Sequence, residues 1–178
     1  SAGGHTQSPV VSRVVIGLAA LTVLLHFATN ILSPYGIQRD EFLYMAMGRH
    51  LHLWRMEFPP AIAILAKFTH TLLGDSIFAI RFLAAMAAGS LVYLSAKIAA
   101  NLGGARTAQT IAALAVVTSP LFLRAGNLFQ PVVFDQLLWT IAIYALVRLV
   151  RTEEPKWWIW FGVAAGLGLL TKFSAIFF

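Results

Sequence analysis

The sequence has 178 residues, of which 59% are hydrophobic and only 11% charged, with a formal net charge of +6 and no cysteine. Soluble domains carry roughly 25% charged residues, so a water-soluble fold is excluded and an integral membrane protein is indicated. The absence of cysteine excludes thiolate catalysis and cysteine metal sites. The basic residues are scattered between apolar runs, which favours membrane lipids rather than nucleic acid as their partners.

Five apolar runs are candidates for transmembrane helices, each of which needs about 20 mainly apolar residues. They cover residues 14–32, 77–100, 107–123, 131–147 and 157–178. Their connections are short, apart from the first, so consecutive helices should be antiparallel. The sequence therefore predicts one all-α domain, a polytopic transmembrane helix bundle over residues 1–178. Because the last run reaches Phe178 without a polar flank, we expect a truncated chain, the front part of a longer protein.

Residues 33–76 separate the first two runs and differ from them because they are charged and interrupted by prolines. Two short helices fit inside this segment. Residues 40–54 begin with two acids, as helix N-termini favour, and have an amphipathic pattern that suits a membrane surface. Residues 60–73 begin with proline and end before Gly74. We expect both helices to lie at the membrane interface.

The distribution of lysine and arginine predicts the orientation of the bundle. If the N-terminus is cytoplasmic, the cytoplasmic loops hold the larger positive excess, as the positive-inside rule requires. The tryptophans that open the last run then lie at the cytoplasmic interface. We therefore predict a multi-pass protein of the cell membrane (plasma or inner membrane) with residues 33–76 on the external side.

In this orientation, six ionisable residues converge on the external face, and Asp135 and Lys172 among them are the two that most need an explanation, because neither lies at a helix end. The six are Asp40, Glu41, Glu57, Arg81, Asp135 and Lys172. Such groups are costly in a membrane and usually face a cavity or a partner. Two interpretations stay open: ion pairs that hold helices together, or a polar cavity for a phosphate-bearing substrate. A carboxylate there could act as a general base or bind a divalent metal, whereas Asp40 and Glu41 could also simply cap a helix.

Two histidines extend the question of a metal site. His50 and His52 follow the paired acids and could join them around a metal ion. However, side chains two residues apart on a helix point in different directions. A solvated helix face is therefore the favoured interpretation, and the metal stays open.

Four stretches of this sequence carry a family resemblance in their order along the chain. RDEFLYMAMGRHLHLW contains an Asp-Glu pair with a following Tyr, and MEFPPAIAILAKFTHTLLGDSIFAIRFLAA contains an acid before Pro-Pro and then Gly-Asp-Ser and Arg. QPVVFDQLLWTIAIYAL and GLGLLTKFSAIFF follow. Together, over residues 35–178, they resemble the N-terminal part of polyprenyl-phosphate-sugar-dependent glycosyltransferases of the GT-C superfamily. The branch that they resemble is that of protein O-mannosyltransferases and lipid A aminoarabinose transferases.

The resemblance implies roles for individual residues. The implied catalytic acids are Asp40, Glu41 and Asp135, and the implied substrate or phosphate ligands are Lys172, Arg81, Glu57 and Tyr44. Asp40 would be the base or would orient the acceptor, and Glu57 would be the loop acid that can approach a metal or the donor. Phe58 departs from the pattern, because relatives often have His or Lys directly before Pro-Pro. This departure weakens the expectation of a cationic donor contact or a metal ligand there.

We therefore expect an inverting glycosyltransferase that moves a sugar from a polyprenyl-phosphate donor to a protein, lipid or glycan acceptor on the external face. The sequence implies no cofactor with certainty, although a divalent metal could take part. The alternative is a non-enzymatic membrane protein, a transporter segment or a helical partner subunit, that uses the same charges as ion pairs. Transporters typically carry charges across the midplane and a related second half, and this sequence shows neither pattern.

Overall fold

The structure is a computed structural model that describes residues 10–32, 35–52 and 58–173. All the regular elements in these ranges are helical, and no β-strand occurs there. The α-helices are α1 (Arg13–Leu32), α2 (Arg39–Arg49), α3 (Ala61–Leu73), α4 (Ile77–Asn101), α5 (Arg106–Val117), α6 (Pro120–Gly126), α7 (Pro131–Thr152) and α8 (Lys156–Thr171). The predicted all-α membrane bundle is confirmed.

Three of these helices, α1, α4 and α7, are each long and apolar enough to cross a membrane. Helices α5 and α6 meet the same condition only as one pair, which is bent by 65°. Helix α8 has 16 residues, a length of about 24 Å against about 30 Å of hydrocarbon. Residues 174–178 of the predicted last run lie outside the described ranges.

The bend falls inside the predicted third run, residues 107–123, and its cause is local. Pro120 is the first residue of α6, and proline has no backbone N–H to donate to the preceding turn. It also disfavours the helical conformation of the residue before it, Ser119, whose backbone is extended (φ −74°, ψ 120°). The bend brings the residues after α6 to α1 and α2: Asn127 accepts a hydrogen bond from Thr29.

Helix α4 lies at the centre of the bundle and packs against α1, α3, α5, α6 and α7. In its most apolar stretch 56% of the residues are buried, against 22% in α1 and 28% in α7. Most of its buried residues are small, among them Ala84, Ala85, Ala87, Ala88, Gly89 and Ala96. Small side chains let backbones approach closely, which is how membrane helices gain packing contacts without a hydrophobic driving force.

Helices α2 and α3 form a unit beside one end of α4. The predicted helix over residues 40–54 ends at Arg49, where the His50 N–H bonds to the carbonyl of Ala46. The packed face of α2 carries Glu41, Tyr44 and Gly48. The predicted helix over residues 60–73 corresponds to α3, with Pro60 directly before it.

The Gly-Asp-Ser segment joins α3 to α4, and each of its residues has a separate task. Gly74 ends α3 with a φ of 84°, a conformation that glycine adopts without strain. The Ser76 hydroxyl accepts a hydrogen bond from the Ala79 N–H and caps α4. Asp75 accepts from Arg49 at 3.1 Å and from His70 Nδ1 at 2.7 Å. These contacts hold the pKa of Asp75 below its usual value, and the hydrogen bond from His70 has the largest effect.

The close contact between α4 and α1 gives a packing prediction. A methyl group at position 89 would lie 2.4 Å from the Val23 side chain and 3.1 Å from the Ala19 carbonyl oxygen. Gly89→Ala should therefore lower stability by about 1–3 kcal/mol through overpacking. Gly162→Ala is the matched control, because nothing lies within 4 Å of its new methyl group, and it should leave stability unchanged or raise it by about 0.5–1 kcal/mol. Thermal unfolding in detergent measures both, and equal effects would contradict the packing.

Candidate functional site

The candidate site is built around a buried ion pair between Glu41 in α2 and Arg81 in α4. Arg81 Nε donates to Glu41 Oε1 at 2.8 Å, and Nη2 donates to Oε2 at 2.7 Å. The backbone N–H groups of Gln38 and Phe129 donate to Oε2 and Oε1, each at 2.8 Å. The Glu41 side chain is fully buried and that of Arg81 is 4% exposed. Each carboxylate oxygen thus accepts two hydrogen bonds, and the two-point contact fixes both side chains.

The remaining donors of Arg81 extend this network to the first helix. Nη2 also donates to the Gly36 carbonyl at 3.2 Å, and Nη1 donates to Asn30 Oδ1 at 3.4 Å. The pair therefore joins α1, the α1–α2 connection, α2, α4 and the α6–α7 connection. The structure brings together a predicted catalytic acid, Glu41, and a predicted phosphate ligand, Arg81, and directs their charges at each other.

Asp40 precedes Glu41 in the chain but has a different environment. Its side chain is 39% exposed, and Arg39 Nε lies 3.5 Å from Oδ1. Gln130 Nε2 donates to Asp40 Oδ2 at 3.3 Å and to Gln38 Oε1 at 2.7 Å. Because Arg39 is 95% exposed, its ion pair contributes little. Asp40 thus keeps access to solvent while Gln130 holds one of its oxygens.

Sequence reasoning missed Gln130 and the role of Gln38. Gln130 directly precedes α7, and its amide joins the start of α7 to the start of α2. Glu41 is the third residue of α2 and accepts from the backbone N–H of Gln38. A Gln or Glu three residues after a helix cap is the spacing of a capping box, and this spacing could have indicated the burial of Glu41.

Asp135 and Lys172 lie at the same end of the bundle as Asp40. Asp135 is in the second turn of α7, half-buried, and its Oδ1 accepts from Trp139 Nε1 at 3.2 Å. Helices α7 and α8 pack along each other and are joined by only three residues. Counted from that junction, Asp135 lies about 26 Å along α7 and Lys172 about 24 Å along α8. The exposed Lys172 therefore lies near the level of Asp135.

Tyr44 lies one turn after Asp40, on the packed side of α2. Its ring is buried and meets the ring of Phe58 edge-on, with centroids 6.1 Å apart. Burial, and then the negative charge of Asp40, raise the pKa of Tyr44. The phenol therefore stays protonated, and its hydroxyl can serve as a hydrogen-bond donor.

A second polar feature, which the sequence analysis above did not use, lies in α1. Thr22, His26 and Asn30 follow each other at four-residue intervals and are all buried. Asn30 touches Arg81, so this polar row leads to the ion pair. Side chains four residues apart share one helix face, and that spacing was a readable signal of a packed polar face.

The described residues contain no group of three His, Asp or Glu side chains that could hold a metal ion. Glu57 lies outside the described ranges. The oxygens of Glu41 are engaged by Arg81 and two backbone amides, and His50 and His52 are exposed. The divalent metal stays a prediction.

The arrangement can therefore combine three functions at one end of the bundle. Asp40 can accept a proton, because its carboxylate is partly exposed and is not neutralised by a buried cation. Lys172 can bind an anion, because its side chain is exposed. Beneath them, the Glu41–Arg81 pair holds the helices that carry these groups.

Comparison with known proteins identifies a family. A family model described as dolichyl-phosphate-mannose-protein mannosyltransferase matches residues 57–178, which is more than half of the chain. No curated protein and no solved structure matches. The match confirms the resemblance that the sequence motifs indicated. The matched range includes Arg81, Asp135 and Lys172, whereas Asp40 and Glu41 precede it.

The buried pair predicts a large loss of stability when one partner is removed. Glu41→Gln or Arg81→Gln should each cost about 3–5 kcal/mol, because the remaining charge stays buried without its counterion. The matched control is Arg49→Gln, which breaks an ion pair whose side chains are 51% and 49% exposed and should cost at most about 1 kcal/mol. Unfolding in detergent measures all three variants. Similar losses for Arg81→Gln and Arg49→Gln would contradict the assignment.

Proposed function

The chain belongs to the dolichyl-phosphate-mannose-protein mannosyltransferase family, and from this premise we propose that it transfers a sugar from a polyprenyl-phosphate donor to an acceptor on the external face of a cell membrane. The family is one of membrane glycosyltransferases. The single observation that carries the proposal is the contrast between two adjacent acids. Glu41 is buried and fully paired, whereas Asp40 is 39% exposed beside the start of α7.

Asp40 acts as the general base in this proposal. The proton of the acceptor O–H group moves to the Asp40 carboxylate while the acceptor oxygen attacks the anomeric carbon of the sugar. The bond between that carbon and the phosphate oxygen breaks, and the phosphate leaves on the polyprenol. A single displacement of this kind inverts the configuration of the anomeric carbon. A positioned base contributes about 10²–10⁴-fold to such a reaction.

The neighbouring groups bind and orient the substrates. Lys172 supports the leaving phosphate by placing a positive charge where negative charge develops. Asp135, held by Trp139, accepts hydrogen bonds from sugar or acceptor hydroxyls, and Tyr44 supplies a neutral donor. Glu41 and Arg81 act as positioning residues for Asp40, because their charges are already matched to each other.

The position of the site in the membrane suits a lipid-linked donor. A donor with a polyprenyl tail stays in the lipid and presents its phosphate at the end of the helices, where Asp40, Asp135 and Lys172 lie. The excess of lysine and arginine in the opposite loops supports a cytoplasmic N-terminus and a site on the external face. The acceptor is a protein, a lipid or a glycan.

The role of Asp40 predicts a loss of activity without a loss of fold. Asp40→Asn should lower transfer by at least about 100-fold, because the amide cannot take up the acceptor proton. Asp75→Asn is the matched control, since Asp75 lies in the α3–α4 connection, where its partners among the described residues are Arg49 and His70. The assay follows labelled mannose from polyprenyl-phosphate mannose to acceptors in membranes that contain the protein. An Asp40→Asn variant with the unmodified rate would refute the proposal.

The role of Lys172 predicts weaker donor binding. Lys172→Gln should raise the Kd for polyprenyl phosphate about tenfold, the effect of losing one hydrogen bond to a charged group. Lys67→Gln is the control, because Lys67 is an exposed lysine on α3. A thermal-shift titration in detergent measures binding without requiring turnover. Equal Kd values for the two variants would remove Lys172 from the donor site.

A further inference from the structure

The end of α4 opposite to Arg81 carries a second set of charges, which the proposed function does not use. We call Lys97, Arg148, Tyr93, Tyr144 and Trp157 the basic–aromatic cluster. Lys97 Nζ lies 5.5 Å from the centre of the Tyr93 ring and 5.3 Å from that of Tyr144. The guanidinium carbon of Arg148 lies 5.1 Å from the centre of the Trp157 ring. Tyr144 and Trp157 meet edge-on at 5.7 Å, so the cluster is continuous across α4, α7 and α8.

Arg148 is buried in this cluster without a full set of acceptors. It is 9% exposed, and its Nη1 donates to Asn101 Oδ1 at 3.1 Å. Its Nε is buried and has no hydrogen-bond partner within the described residues. A buried charge is ordinarily paired, and neither a neutral amide nor an indole ring cancels a full positive charge. Within the described residues, no Asp or Glu hydrogen-bonds to Arg148, and Glu154 acts on it only through space.

Lys97 shares this deficit. Its contacts in the described part of the chain are the two tyrosine rings, and no Asp or Glu forms an ion pair with it there. Aromatic faces attract a cation but leave its charge in place. Helix α4 thus contributes Lys97 and α7 contributes Arg148 to one cluster, in which the side chains that contact these two cations are neutral.

The acids near the cluster are fewer than the cations. Glu154 accepts from Lys156 at 2.7 Å and from Trp157 Nε1 at 3.2 Å. The pKa of Glu154 lies below its usual value, mainly because of the hydrogen bond from Lys156 and also because the positive charge of Arg148 acts through space. Glu153 is exposed. These two acids lie at the same end of the bundle as four basic side chains, so the described residues leave positive charge in excess there. The four are Lys97, Arg148, Arg151 and Lys156.

We propose that the basic–aromatic cluster binds the phosphate group of an anionic membrane lipid. The cluster lies at the ends of two candidate spans, α4 and α7, where lipid headgroups meet a membrane protein. A phosphate diester supplies the acceptors that Arg148 lacks, and tyrosine and tryptophan rings favour the same interfacial level. Lys97 lies about 24 Å along α4 from Arg81. This site is therefore separate from the proposed donor site, and it does not depend on the proposed function.

A general attraction of basic residues to the membrane surface does not account for Arg148. Side chains that serve that purpose extend to the headgroups, as the exposed Arg13 and Arg106 can. Arg148 is instead held inward by Asn101 and Trp157. A lipid phosphate that reaches it must enter between helices, and this requirement makes the site specific.

The test is a thermal-shift titration of the detergent-solubilised protein with phosphatidylglycerol, phosphatidylcholine and inorganic phosphate. We expect saturable stabilisation by phosphatidylglycerol and little effect from the other two. Lys97→Gln should raise the Kd for phosphatidylglycerol about fivefold, the effect of one cation near an anionic lipid. Lys97→Arg should retain binding, and Arg106→Gln should leave the Kd within about twofold.

Three outcomes would overturn the proposal. Equal stabilisation by phosphatidylcholine would show that the lipid charge is not recognised, and equal stabilisation by inorganic phosphate would assign the site to a free anion. Equal effects of Lys97→Gln and Arg106→Gln would show attraction to the general surface charge. Arg148→Gln should weaken binding further, but Lys97→Gln carries the test because the partly exposed lysine can be replaced without leaving a buried charge unpaired.

Discussion

The buried ion pair of Glu41 and Arg81 is the constraint on which the arrangement of this bundle depends. Both side chains have lost nearly all contact with solvent, a cost that only complete pairing offsets. The four hydrogen bonds to Glu41 come from Gln38 at the start of α2, from Arg81 in α4 and from Phe129 in the α6–α7 connection. The segment between α1 and α4 is therefore fastened to the bundle core by charge as well as by apolar packing. The position of α2, and with it the position of Asp40, follows from this contact.

The adjacent acids Asp40 and Glu41 consequently have different environments and different roles. Successive residues of a helix are about 100° apart, so one turn cannot bury both Asp40 and Glu41 against the same partner. Glu41 takes the inward direction because Arg81 and the Phe129 N–H lie there. Asp40 then faces the α7 start, where Gln130 contacts it. An Asp-Glu pair thus supplies one carboxylate for stability and leaves its neighbour with the solvent access that proton transfer requires.

The sequence was sufficient for the helices and for the end of the bundle at which the charges gather, because apolar runs and short connections are local signals. The 65° bend also has a local cause, Pro120, although the apolar run conceals it. The packed face of α2 was not predictable in this way. Phe42 is 56% exposed while Glu41 is buried, because the partner of Glu41 lies 40 residues away on another helix. Hydrophobic patterning along one helix carries no information about such a partner.

The two buried arginines among the described residues can be compared directly with each other. Arg81 and Arg148 are 4% and 9% exposed, so both guanidinium groups have lost similar access to water. Arg81 finds a carboxylate, a carbonyl and an amide oxygen for its donors. Arg148 donates one hydrogen bond to Asn101 and packs against the indole ring of Trp157, and its Nε has no hydrogen-bond partner within the described residues. At Arg81 the fold thus supplies a carboxylate and two further oxygen acceptors to a buried guanidinium group. The deficit at Arg148, in a region with more cations than acids, is therefore better explained by an anion from outside the chain than by imperfect packing.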